Sequence, residues 1–312
     1  MATAFVFPGQ GSQAVGMGKE LAEAMPEAKE VFQEVDEALK SNLSRLMWEG
    51  PEDQLTLTEN AQPALMAVSV AAARAIAKGG YDLNDKIAFV AGHSLGEYSA
   101  LTVAGTLELA DTARLLRLRG QAMQRAVPVG EGAMAALLGA ELELALEIAE
   151  AAQQGAICQV ANDNGGGQVV ISGAKEAVDR AIEIAKAKGV KRAMPLPVSA
   201  PFHCALMQPA ADAMADALSA ARLAEPAVPV VANVTASAVT DPEEIRSLLV
   251  EQVTHMVRWR ESVLFMRDAG VTALVEVGTG KVLAGLAKRI DRDMSALSVG
   301  TPKDVEAFFQ TV

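Results

Sequence analysis

Cysteine, histidine and aromatic side chains are all scarce in this chain. Two cysteines, Cys158 and Cys204, and three histidines are spread over 312 residues. They form no cluster at metal-ligand spacing, so no dedicated zinc site is expected. Two free thiols suit a reducing cytoplasm. Aromatics make up 4% and apolar residues 51%, so the core is expected to consist mainly of Ala, Leu and Val. Positive charge is short as well: 27 Lys and Arg face 39 Asp and Glu, a net charge of −12. That argues against nucleic acid as the main partner, because phosphate binding needs a basic face. No apolar run is long enough to span a membrane; the most apolar helix, around 64–77, is short and interrupted by Arg74. The first eight residues lack the basic start and long apolar stretch of a signal peptide. They read as a buried first strand. A cytoplasmic protein with neither a membrane nor a nucleic-acid partner is expected.

Strand and helix signals alternate along most of the chain, which implies a mostly parallel sheet flanked by helices. Strands are expected at 4–7, 87–91, 228–233 and 273–277. Helices are expected near 19–25, 27–40, 62–78, 111–127, 242–253, 260–268 and 282–290. The middle differs. Strands at 132–139, 156–161, 168–172 and 191–196, with helices at 141–153 and 174–188, give the order βαββαβ of a ferredoxin-like unit. The fold class is therefore α/β: a large hydrolase-like domain, residues 1–128 and 201–312, carrying a small inserted ferredoxin-like subdomain, residues 129–200.

The most informative segment is Gly92-His93-Ser94-Leu95-Gly96. It reads G-x-S-x-G, between an apolar strand pattern and a helix pattern. Strand, sharp turn with Ser at its apex, then helix is the setting of a nucleophile elbow. The glycines permit the bend and the close approach of other groups.

A Ser nucleophile needs a base. His93 adjoins Ser94, so its side chain should leave the turn in another direction. His203 and His255 remain. His203 lies in the loop that follows the inserted unit, a common place for catalytic groups, and is preferred. Acyl chemistry also needs oxyanion donors. The N–H of Leu95, next after the nucleophile, is the first candidate. Gln10, in the Gly9-Gln10-Gly11 loop after the first strand, is the second, because loops at the carboxyl ends of parallel strands share a crevice. That loop lacks the nucleotide-binding glycine patterns. Arg114 and Arg117 read as a solvated helix face. Arg119 borders the apolar face, and the pattern alone favours a snorkelling side chain over one facing a partner anion.

Four segments recur in a known order: Phe7-Pro8-Gly9-Gln10-Gly11-Ser12-Gln13, Gly92-His93-Ser94-Leu95-Gly96-Glu97, Gln168-Val169-Val170-Ile171-Ser172-Gly173 and Glu276-Val277-Gly278-Thr279-Gly280. With them the chain resembles, over essentially its whole length, the malonyl-CoA:acyl carrier protein transacylases of type II fatty acid synthesis. The resemblance implies ping-pong transfer of a malonyl group from malonyl-CoA through Ser94 to the phosphopantetheine thiol of acyl carrier protein. It implies His203 as base, the Gln252 backbone carbonyl as its holder, Gln10 and Leu95 as oxyanion donors, and Arg119 as partner of the malonyl carboxylate. Leu95 and Phe202 match the malonyl-selective choices. No cofactor or metal is implied, and a monomer is expected. An acidic carrier would need a basic patch, for which Lys188, Lys191, Arg192, Lys281, Lys288, Arg289 and Arg292 are candidates. Two loops depart from the family: Thr279 stands where Pro is usual, and Asn164-Gly165-Gly166-Gly167 replaces Asn-Ser-Pro-Gly. The other readings are a serine esterase or thioesterase of the α/β-hydrolase type, with His255 as base, and a non-catalytic acyl-carrier-binding module.

Overall fold

The structure, a computed structural model, describes residues 2–311. Ten strands form two sheets: Ala2–Phe7 (β1), Ile87–Gly92 (β2), Gly132–Leu138 (β3), Cys158–Asp163 (β4), Gln168–Ala174 (β5), Arg192–Pro195 (β6), Val230–Val231 (β7), Ala238–Val239 (β8), Val271–Val277 (β9) and Ser295–Val299 (β10). The larger sheet has the order β10-β9-β1-β2-β7-β8. Every pairing in it is parallel except β7 with β8. β1 sits inside the sheet and is apolar without alternation because both faces are covered. Ala4 and Val6 enter one hydrophobic cluster, with Trp259 and Val263. Phe5 and Phe7 enter the other, with the helix Thr58–Lys78.

The smaller sheet has the order β4-β5-β3-β6 and is antiparallel throughout. With the helices Leu142–Gln153 and Lys175–Ala187 it makes the expected βαββαβ unit. Ala135, Leu137, Ile148, Ile171 and Val178 give this unit a hydrophobic cluster of its own.

Several elements differ from the sequence expectation. The helix expected from Gln62 begins one turn earlier, at Thr58, and carries Pro63 inside it. Proline favours the first helical turn, so the pattern pointed to a later start. The strand expected over 228–233 pairs only at Val230–Val231. The edge strand β10 and the helices Leu43–Glu49, Gln208–Ala220 and Pro302–Thr311 were not expected. β10 reads Ser-Ala-Leu-Ser-Val, too short and too polar to stand out.

Two close approaches position the site. β1 and β2 run in register, with Phe7 beside Gly92, so the loops after both strands open at the same end of the sheet. A side chain at Gly96 would lie 2.2 Å from the Phe7 carbonyl oxygen, and one at Gly9 would lie 2.7 Å from that of His93. Glycine at both lets the Gln10 loop touch the Ser94 turn. The helix Leu109–Ala126 meets the helix Thr58–Lys78 at Gly120, where a Cβ would lie 2.5 Å from Glu59 Cα. That contact brings Arg119 against Gln62.

Candidate active site

Ser94 stands between β2 and the helix Gly96–Val103, at φ +54°. A Cβ on Gly92 would fall 1.9 Å from Gly96 backbone atoms, so the turn closes only with glycine there. The Ser94 backbone N–H donates to Asn233 Oδ1 at 2.8 Å, and Asn233 Nδ2 donates to the Gly92 carbonyl at 2.6 Å. Asn233 thus ties together the two sides of the turn. His203 is also left-handed, at φ +58°. Such backbone costs about 1–3 kcal/mol per residue and persists where the surroundings over-determine it.

Ser94 Oγ lies 2.8 Å from His203 Nε2, and His203 Nδ1 lies 2.9 Å from the Gln252 carbonyl oxygen. A carbonyl only accepts, so Nδ1 carries the proton. Nε2 then presents its lone pair to the Ser94 hydroxyl. His203 is 4% exposed. Burial, and next the charge of Arg119, push its pKa down to about 3, so the ring is neutral and ready to accept a proton. The other histidines take no part in this pair. His93 turns away, with Nε2 2.8 Å from Asn164 Oδ1 and its ring against Trp259. His255 is exposed and bonds to the Glu251 carbonyl.

Arg119 is 1% exposed. It does not snorkel, contrary to the pattern-based preference. Its guanidinium donates to Gln62 Oε1 at 2.8 Å, Gln252 Oε1 at 2.8 Å and Ser94 Oγ at 3.2 Å. None of these partners is a carboxylate, and Nε has no partner. The ring of Tyr98 lies 5.7 Å from its Cζ. Arg114 is exposed beside Asp111 as expected, but Arg117 is half-buried and donates to Asn60 Oδ1, so it is not part of a solvated face.

A cavity of about 110 Å³ joins these groups, lined by Gln10, Leu95, Met123, Met134, Leu196, Val198 and Phe202 together with Ser94, His203 and Arg119. The N–H groups of Gln10 and Leu95 have no acceptor among the described residues. The Gln10 side chain is occupied elsewhere: it accepts from Thr58 Oγ1, which accepts from Gln62 Nε2. A larger cleft, about 640 Å³, also touches His203 but includes neither Ser94 nor Arg119. Met123, Met134, Leu196, Val198 and Phe202 give the acyl cavity an apolar part, and the Arg119 guanidinium is the permanent charge in its lining. Such a site suits an acyl group that ends in an anion.

Four site residues escaped the sequence reading: Gln62, Glu97, Asn233 and Asn164. Glu97 is 3% exposed. Burial pushes its pKa up to about 7, against the pull of hydrogen bonds from Gln252 and Asn233 and the charge of Arg119. The unusual glycine loop fits its backbone: Gly165, Gly166 and Gly167 all have positive φ. Proline, fixed near −65°, could not replace Gly166.

The sequence model of the acyl transferase domain family matches residues 4–311. The chain belongs to this family. It is 46% identical over 310 residues to a malonyl CoA-acyl carrier protein transacylase of Bacillus subtilis (strain 168), covering 99% of this chain and 96% of that one. A crystal structure of an acyl-carrier-protein-S-malonyltransferase from Bartonella henselae superposes with a TM-score of 0.98 at 57% identity, covering 100% of this chain and 99% of that one. A type II polyketide acyl carrier protein in complex with its malonyl-transacylase gives a TM-score of 0.97 at 44% identity, with 100% of both chains covered. Like its relatives, the chain is an acyltransferase, and its mixed α/β fold sets a mostly parallel sheet beside a separate antiparallel one. No helix among the described residues is long and apolar enough to cross a membrane.

Proposed function

We propose that this protein moves a malonyl group from malonyl-CoA to the phosphopantetheine thiol of acyl carrier protein through a malonyl-Ser94 intermediate. In the first half-reaction His203 Nε2 takes the Ser94 proton as Oγ attacks the thioester carbonyl. The C–S bond breaks, and the CoA thiolate leaves with the proton that His203 returns. In the second half-reaction the carrier thiol gives its proton to His203 and attacks the acyl-Ser94 carbonyl. Ser94 Oγ leaves and recovers the proton. The N–H groups of Gln10 and Leu95 receive the oxyanion in both halves.

The observation that carries this reading is the buried Arg119 guanidinium 3.2 Å from the nucleophile, held only by neutral groups. A malonyl carboxylate completes its coordination with charge-assisted bonds. An acetyl group leaves the cation unpaired in a sheltered site, and such a mismatch is strongly rejected. The carboxylate does a second job. Arg119 opposes the imidazolium form of His203. Once a carboxylate offsets that charge, proton transfer from Ser94 becomes easier. Substrate binding thus helps to activate the base.

The complex of a related transacylase with its carrier supports acyl carrier protein as the acceptor. The chemistry requires no cofactor, and we place the protein in the cytoplasm as a monomer. Residues 129–200 form the subdomain that closes the cleft over the acyl cavity.

Intact-mass measurement after brief exposure to malonyl-CoA tests the reading. One malonyl adduct, absent in Ser94→Ala and discharged by holo acyl carrier protein, is expected. An unmodified chain would refute it.

A further inference from the structure

Glu97 directly follows the five-residue nucleophile turn, in the first turn of the helix Gly96–Val103, yet it touches neither the nucleophile hydroxyl nor the acyl cavity. Its Oε2 accepts from Gln252 Nε2 at 2.8 Å and from the Asn233 backbone N–H at 3.1 Å. The first contact reaches the Arg119 clamp. The Gln252 amide also donates to the Ser94 carbonyl at 3.0 Å, and with its oxygen it accepts from Arg119 at 2.8 Å. One amide therefore stands between a buried carboxylate and a buried guanidinium.

A side-chain amide can be turned end for end at little steric cost, and its two ends are chemical opposites. Here only one orientation works. Turned over, its oxygen would face the Glu97 carboxylate and the Ser94 carbonyl, acceptor against acceptor. Its NH2 would face the guanidinium, donor against donor. Each buried mismatch leaves polar groups unpaired. Glu97 thus selects the orientation in which an oxygen, and not an NH2, meets Arg119. It does so without touching the guanidinium, which stays free to receive a substrate carboxylate. A carboxylate placed directly on Arg119 would compete with that substrate.

We propose that Glu97 is a positioning residue for acyl selection: through the Gln252 side-chain amide it holds the Arg119 guanidinium ready for a substrate carboxylate while keeping its own charge one amide away. The second contact, to Asn233, supports the Ser94 turn and serves any acyl group alike. Loss of Glu97 should then lower transfer of both malonyl and acetyl groups, and malonyl further.

This inference rests on the malonyl reading, and the experiment separates the two. Rates of Ser94 acylation by malonyl-CoA and acetyl-CoA are compared for the wild type, Glu97→Gln, Glu97→Leu and Gln252→Met. Gln252→Met cuts the chain at its other link and leaves the backbone carbonyl that holds His203. Glu97→Leu and Gln252→Met are expected to reduce the malonyl-over-acetyl preference by about tenfold, the scale of coupling within one hydrogen-bonded network. Glu97→Gln keeps an acceptor oxygen and should restore most of the preference. In an Arg119→Ala background, Glu97→Leu should lower both rates by the same factor. Unchanged preference in Gln252→Met, or in a folded Glu97→Leu, would overturn the inference while the malonyl reading stands. A wild type that takes no malonyl group would overturn both.

Discussion

Groups of opposite charge are arranged in two ways in this protein. On the surface, Lys175 and Asp179 meet directly at 2.6 Å, one helical turn apart, with both side chains more than half exposed. In the interior, Glu97 and Arg119 are almost completely buried, and the Gln252 amide separates them. Contact distance alone would rank the surface pair higher. The physics ranks them the other way. Water and salt screen the exposed pair, whereas burial leaves the inner charges largely unscreened. The inner cation is also under-coordinated, with an unpartnered Nε. It is arranged to gain a partner, while the surface pair is already complete.

The strongest way to break the interior arrangement is to remove the base. His203→Ala should lower malonyl transfer by about 10⁴-fold or more, the scale seen when one member of a nucleophile–base unit is lost. Stopped-flow release of CoA reports the acylation half directly. His255→Ala should leave that rate unchanged. The reverse result would favour a hydrolase that uses His255. Next in size is Arg119→Ala. It should reduce malonyl transfer by about 10²-fold relative to acetyl transfer, since the carboxylate loses a charge-assisted partner. Equal losses for the two donors would remove Arg119 from acyl selection.

How much of this was legible in the sequence follows from the range of each interaction. The Ser94 turn was legible because its glycines act on their immediate neighbours. His203 was legible as the histidine in the loop after the inserted unit. Arg119 was misread by pattern, since a helix period shows which residues border the apolar face but not what lies opposite. Only the family resemblance pointed to an anion partner for it. Asn233 is 139 residues from the Ser94 N–H that it holds, and Gln252 is 155 from Glu97. No local pattern encodes such pairings. A weak signal did exist. Glu97 is the sole acid in the otherwise uncharged helix Gly96–Val103, and Gln62 interrupts an apolar stretch. Lone polar groups on buried faces need partners. The missed elements, β10 and the helix Gln208–Ala220, took their places through packing partners that no local window contains.

Acid titration sharpens the comparison at smaller scale. His203 is held near 3, below the usual 6.5, so the unfolded chain binds the extra proton between those values. Its contribution to stability is fully present above pH 6.5 and is lost as pH falls towards 3. Glu97 is held near 7, above the usual 4.5, so here the folded chain binds the extra proton. Its contribution is fully present below pH 4.5 and is lost as pH rises towards 7. Between pH 5 and 6.5 the two slopes oppose each other. Glu97→Gln removes one of them. The stability of this variant should therefore fall more steeply on acidification than that of the wild type, by up to about 1.4 kcal/mol per pH unit. Urea midpoints at pH 5, 6 and 7 measure the difference. Parallel pH dependence in the two proteins would mean that Glu97 does not titrate in this range.

The smallest effect is expected at the surface. Lys175 and Asp179 occupy successive turns of the helix Lys175–Ala187, on its solvent side. Each side chain loses rotamer freedom to hold the contact, and water competes for both charges. A double-mutant cycle with Lys175→Ala and Asp179→Ala should give a coupling of about 0.5 kcal/mol or less, weakening further in 0.5 M salt. Malonyl transfer should be unchanged in all three variants, because the pair touches neither the acyl cavity nor the groups that hold Arg119. A coupling of several kcal/mol, or a loss of transfer, would show that direct contact at the surface counts for more than the burial argument allows.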